Sequence, residues 1–173
     1  MSTSRVKQIM KLFNLKYVIK LITILLIFLF DRLTKIKVLN LFENNQLEEI
    51  YISNFLNIYL IWNKGIAFGL LNFDDRLVYN LITVVIAIVS LIILFLALRI
   101  KDYKGYFFTV IFGGAIGNLY DRITYRAVPD FIDFHINNYH WFIFNVADIF
   151  VTLGVICLIL DELFVKKKVN EKN

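Results

Sequence analysis

Two aspartates lie where an apolar chain is least expected to keep carboxylates: Asp130 in Val128-Pro129-Asp130-Phe131-Ile132-Asp133, and Asp148 in Phe144-Asn145-Val146-Ala147-Asp148. Charged side chains at membrane depth are costly, so the ones retained there are functional candidates. Two carboxylates sharing one site hold a single proton between them, the arrangement with which an aspartic protease activates water. The remaining polar residues decide whether these two can meet and what would hold them.

Asn145 precedes Asp148 by three residues, so on a helix both share a face, which Thr152 continues. The amide is placed to orient the carboxylate or a substrate carbonyl. A competing structural role is the helix N-cap, which Asn or Asp before an apolar run commonly supplies. In Gly113-Gly114-Ala115-Ile116-Gly117-Asn118-Leu119-Tyr120-Asp121-Arg122, Gly113 and Gly117 permit a close helix contact, and packing glycine plus interfacial charge is the plainer reading of the stretch. Asn118 and Arg122, one turn apart, offer an amide and a guanidinium to a peptide backbone. Pro129 argues for an extended or turned loop before Asp130. Taken singly, Asp130 and still more Asp133 read as solvated loop acids. Asn63-Lys64-Gly65-Ile66-Ala67-Phe68-Gly69 reads as a turn, and Asp31 with Thr34 and Lys35 as an interfacial ion pair.

Other hydrolytic chemistries lack their residues. There is no HExxH, so His135 and His140 do not have helical zinc spacing and read as interfacial loop residues. No GxSxG elbow occurs, and Ser90 has no histidine or lysine near it in sequence.

The elements that must position these residues follow from composition. With 59% hydrophobic and 16% aromatic residues among 173, the chain reads as a membrane protein. The net charge of +5 does not suggest nucleic acid, because the basic residues flank apolar runs. Cys157, the one cysteine, sits inside an apolar run and has no partner for an internal disulfide. Leu77 to Leu98 carries no charge and as a helix would be about 33 Å long, enough for a hydrocarbon core of about 30 Å.

Four spans are expected, at about 16–36, 77–98, 105–121 and 141–165, in a single integral membrane domain covering 1–173. Lys20 is expected to snorkel to one surface. The basic leader resembles a signal peptide, but no small-x-small site follows Phe30, so a retained helix is expected. Twelve of the nineteen lysines and arginines flank the first span's start, the link between spans two and three, and the C-terminal end. The positive-inside rule therefore puts both termini in the cytoplasm and segments 37–76 and 122–140 outside. Within the first of these, Leu47 to Trp62 mixes β-branched and aromatic residues with polar ones, the pattern of a few short strands. The fold class expected is thus all-α, four transmembrane helices with a small extracytoplasmic β-rich segment.

Asp31-x-x-Thr34-Lys35, Asn63-x-Gly65-x-Ala67-Phe68, Gly113-Gly114-x-x-Gly117-Asn118-x-x-Asp121-Arg122, the Asp130-to-Asp133 run and Phe144-Asn145-x-Ala147-Asp148 together resemble the ordered motifs of the lipoprotein signal peptidase family, signal peptidase II. The chain departs from the pattern at Pro129, where the family more often has valine. The resemblance implies an aspartic endopeptidase of the bacterial plasma membrane that cuts prolipoproteins just before a diacylglyceryl-modified cysteine, without metal or cofactor. It implies a catalytic dyad of Asp130 and Asp148. Asn63, Asn118, Arg122 and Asn145 would bind substrate or order the site, with Asp31, Lys35, Gly65 and Asp121 in support. It also implies a short amphipathic helix over the site. Partners expected are the lipidated precursor and membrane lipid, with the enzyme a monomer. Two other classes compete: a small proton-coupled transporter, which would place carboxylates toward the midplane and in both halves of the chain, and a noncatalytic binder of lipidated proteins, which would need no dyad.

Overall fold

The structure is a computed structural model and describes residues 3–65, 76–136 and 139–170. In chain order the elements are α1 (Thr3–Asn45), β1 (Ile50–Ser53), β2 (Leu56–Asn63), α2 (Arg76–Arg99), α3 (Lys104–Tyr125), β3 (Val128–Ile136), β4 (Tyr139–Phe144) and α4 (Val146–Asn170). The molecule is mostly helical with one small sheet. Among the described residues α2 is the one helix long and apolar enough by itself to cross a membrane, with a mean hydropathy of 3.3 over its most apolar stretch.

α1 runs beyond the expected end at Ile36 because nothing stops it. No glycine or proline occurs in it, and Lys35, Val38, Leu39 and Phe42 continue an inward stripe at helical spacing. It ends before Gln46, whose φ of 51° is left-handed.

α3 is the central helix and packs on α1, α2 and α4. Its glycines set how closely. A Cβ on Gly113 would lie 3.0 Å from Ile27 of α1, one on Gly117 would lie 2.6 Å from Asp31, and one on Gly114 would strike the Ala147 carbonyl of α4. The GxxxG pair therefore faces α1 while the intervening Gly114 faces α4, the small-residue packing used between membrane helices. Large apolar side chains such as Leu26, Leu33, Leu91, Phe95 and Leu160 point outward from α1, α2 and α4.

The strands form one antiparallel sheet in the order β1-β2-β3-β4. β1 and β2 lie in the stretch expected to hold strands, whereas β3 and β4 correct two expectations. The segment around Pro129 is a strand, and Trp141 to Phe144 belongs to β4 and not to the fourth helix, which begins at Val146. Pro129 is tolerated because β4 pairs with β3 only from Ile132 onward, and the facing β2 has a register shift between Ile58 and Ile61. Arg126, left-handed at φ 57°, caps α3 and turns the chain into β3, so Asp130 follows the helix end closely. Lys20 is buried, not snorkelled: its Nζ donates to the carbonyls of Ala97 (2.5 Å) and Ile100 (2.9 Å), closing the C-terminal end of α2.

Candidate active site

Asn145 is the N-cap of α4 and Asp148 its third residue, joined in a reciprocal capping box. The Asp148 amide donates to Asn145 Oδ1 (3.2 Å), and the Asn145 amide donates to Asp148 Oδ2 (3.1 Å). Capping and site-building, which the sequence presented as alternatives, are the same contacts. Because its oxygen is committed to the cap, the Asn145 side chain turns its Nδ2 outward and donates to Asp130 Oδ1 at 2.6 Å. One amide thus ties both aspartates.

The other oxygen of Asp130 accepts from Asn63 Nδ2 (2.8 Å), and the same logic orients Asn63. Its Oδ1 receives the Gly65 amide (2.8 Å) in an Asx turn, leaving the NH2 for the carboxylate. The Gly65 carbonyl accepts from Arg122 Nη2. Ile66 to Gly69, from the same motif, lie outside the described residues, as does the rest of 66–75.

Asp148 Oδ1 accepts from Asn118 Nδ2 (2.8 Å), whose Oδ1 in turn accepts from Lys35 Nζ (2.8 Å). Lys35 contacts Asp121 Oδ2 (2.6 Å) and Asp31 Oδ1 (3.0 Å), and Arg32 bridges the same two carboxylates at 2.7 Å to each from Nη2. Two anions and two cations, all buried, balance one another. Asp31 also accepts from the Ala147 amide (3.1 Å), so it takes up a donor left open by the first turn of α4. The expected ion pair of Asp31 and Lys35 is present but buried, and the network includes Arg32, which none of the sequence motifs contains. Its role depends on Asp121, 89 residues away, and no local pattern shows it.

Asn63, Asn118, Arg122, Asp130, Asn145 and Asp148 line one cavity of about 250 Å³, with Ile86, Ala115, Val128 and Val151. Asp31, Lys35 and Asp121 form the charged layer behind it. A second, apolar cavity of about 280 Å³ shares Asp148 and is otherwise lined by Phe142, Phe144, Ile149, Thr152 and Leu153. Asp130 is buried, and burial together with the neighbouring Asp148 charge pushes its carboxyl up to about 7 against the opposing bonds from Asn63 and Asn145. Within the described residues Arg122 Nη1 is buried without a hydrogen-bond partner, although the guanidinium is steadied over the Tyr79 ring at 5.8 Å. Three expectations are corrected: Asp133 is fully buried and not solvated, and His135 and His140 stand on β3 and β4 and not in a loop.

A site so assembled can hold a proton on a carboxylate pair at neutral pH and present amide and guanidinium donors to a carbonyl. A family model described as signal peptidase (SPase) II matches residues 23–164. The chain is 55% identical over 162 residues to the lipoprotein signal peptidase of Pelagibacter ubique (strain HTCC1062), covering 92% of this chain and 98% of that protein. It is 38% identical to the lipoprotein signal peptidase of Paraburkholderia phytofirmans over 80% of this chain and 81% of that one. Two solved structures, each described as a bacterial membrane enzyme, superpose with TM-scores of 0.64 and 0.66 at 29% and 27% identity. They cover 87% and 84% of this chain and 90% and 93% of theirs. With the match spanning most of α1 through α4, the chain belongs to the signal peptidase II family.

Proposed function

We propose that this signal peptidase II, which removes signal peptides from prolipoproteins, works as an aspartic endopeptidase with Asp130 and Asp148 as its catalytic pair. The observation that carries the reading is Asn145, whose one side chain and amide bind both carboxylates at the edge of a single cavity. The pair holds one proton. The ionised member takes a proton from water as it attacks the scissile carbonyl, and the protonated member polarises that carbonyl and then donates to the leaving amine. The proton belongs to the pair as a unit. Arg122, which lines the cavity and whose Nη1 is unpaired among the described residues, is the donor for a substrate backbone carbonyl.

The substrate is a precursor with a diacylglyceryl-modified cysteine, cut just before that residue. The apolar cavity on the other side of Asp148 offers an acyl chain a place beside the scissile bond. α1 to α4 span the bacterial plasma membrane as four helices in one domain, with both termini cytoplasmic and the sheet on the outer face. Their outward apolar side chains and the flanking basic residues support this. All of the polar machinery comes from one chain, so a monomer suffices.

Asp130→Asn and Asp148→Asn should each lower cleavage of a lipidated prolipoprotein by at least about 10³-fold while the protein still elutes as a folded species in detergent. Wild-type turnover in either variant would remove the pair from the mechanism.

A further inference from the structure

On the opposite end of β3 from Asp130, three side chains meet that the proposed chemistry does not use. Asp133 and His135 are two residues apart on β3 and share a face, and His140 of β4 lies directly opposite His135. His140 Nδ1 is 2.7 Å from Asp133 Oδ2, His135 Nδ1 is 3.4 Å from the same oxygen, and the imidazole rings stand 5.6 Å apart. One ligand atom from each of the three lies within 4.8 Å of the others. We propose that Asp133, His135 and His140 form a binding site for a divalent transition cation of the zinc class, which fastens β3 to β4.

Hydrogen bonding alone leaves the cluster unfinished. Among the described residues Asp133 Oδ1 and His135 Nδ1 are both buried without a hydrogen-bond partner, a costly state for a polar group. The neighbour across the sheet does not relieve Asp133: Asn57 faces it on β2, but its Nδ2 donates to Glu49 and its Oδ1 accepts from the Ile52 amide. A cation accepts lone pairs from imidazole and carboxylate together, which is the donor set that zinc takes. Ligand atoms around a tetrahedral zinc at bond lengths of about 2.0 Å are about 3.3 Å apart. The His135–Asp133 separation of 3.4 Å already matches, while His140, 2.7 Å from the carboxylate, has to back away from it and the ligand atoms, now within 4.8 Å of one another, have to draw in around the ion. The His140 side chain is half exposed, which provides an entry path and leaves a coordination position for water. The cation ties together the hairpin whose first strand carries Asp130. It takes no part in peptide cleavage, so the site stands or falls apart from the catalytic assignment.

The test uses the full chain without a histidine tag, in detergent, stripped with a chelator and titrated with Zn²⁺ against a chromophoric zinc indicator. One zinc per chain is expected, with a rise in Tm on loading. His140→Ala, at a half-exposed position that should fold normally, is expected to weaken binding at least tenfold and to abolish the Tm shift. His140→Gln retains a donor toward Asp133 and separates a ligand from a hydrogen-bond clasp, so it should lose zinc in the same way. Absence of stoichiometric zinc in the wild type, or equal affinity in His140→Ala, would overturn the proposal.

Discussion

Charged residues gather at both ends of the helix bundle, and the two gatherings are built differently. At the sheet end, Asp31, Arg32, Lys35 and Asp121 are buried, drawn from two helices, and connected through Asn118 to Asp148. At the far end, Lys104 Nζ meets Asp161 Oδ2 at 2.5 Å with the lysine one-third exposed, Tyr103 donates to the same aspartate, and Lys20 closes the end of α2. The far-end contacts finish helices and stop there. Those at the sheet end pass orientation from one group to the next until it reaches a carboxylate in a cavity. A charge network therefore signals a site through where its last hydrogen bond leads, more than through the number of its ion pairs.

The sharpest break in this contrast is Asn145→Ala. It removes the donor to Asp130 and the acceptor for the Asp148 amide at once, leaving, of the bonds from residue 145, only its backbone amide on the Asp148 carboxylate. Activity on a lipidated precursor should fall about 10²-fold, and stability by about 1 kcal/mol from the lost cap. A stability loss with unchanged kcat/KM would make Asn145 a cap and nothing more.

Proton occupancy tests the same end without a mutation. With the Asp130 carboxyl pushed up to about 7, the pair keeps its proton to neutrality and loses it above. The rate should then decline about tenfold per pH unit on the alkaline side of about 7, read from kcat/KM. Stability follows the same sign. The folded state holds a proton that the unfolded chain releases near pH 4, so stability conferred by the protonated form is complete below that pH and is lost as pH rises through about 7. Asp130→Asn should flatten that slope in thermal unfolding across pH 4 to about 7.

Asp121→Asn acts one layer farther back. It leaves Arg32 and Lys35 buried with one anion fewer, which should lower stability by about 3 kcal/mol and activity only partially, about tenfold below the melting range. Loss of all turnover here, with turnover retained in Asp130→Asn, would mean that the wrong aspartates have been paired.

What the sequence made legible was local. The Asn145–Asp148 spacing, the Gly113–Gly117 step and the apolar length of α2 are all short-range patterns, and each has its counterpart in the fold. What it hid depends on partners distant in the chain. Asp133 read as solvated because nothing near it shows that β2 and β4 will flank it. Trp141 to Phe144 read as helix because a short apolar run beside a helix has no distinct period, and β4 exists only by pairing with β3. Arg32 stayed out of the sequence motifs because its partner Asp121 belongs to another helix. Asp130 and Asp148, the proposed pair, line one cavity, and Asn145, which bonds to both, stands three residues from one of them in sequence.

The smallest effect belongs to the far end. Asp161→Asn removes the partner of Lys104 and Tyr103, yet among the described residues no bond from that cluster leads toward Asp130 or Asp148. The lysine is accessible to water and salt, so solvent replaces what the mutation takes away. Cleavage should stay within about twofold of wild type, with a small loss of stability that fades at high salt. If Asp161→Asn instead reduced kcat as Asn145→Ala does while the protein stayed folded, the two ends would be coupled through α4, and burial and the last hydrogen bond would no longer suffice to tell a site from a helix end.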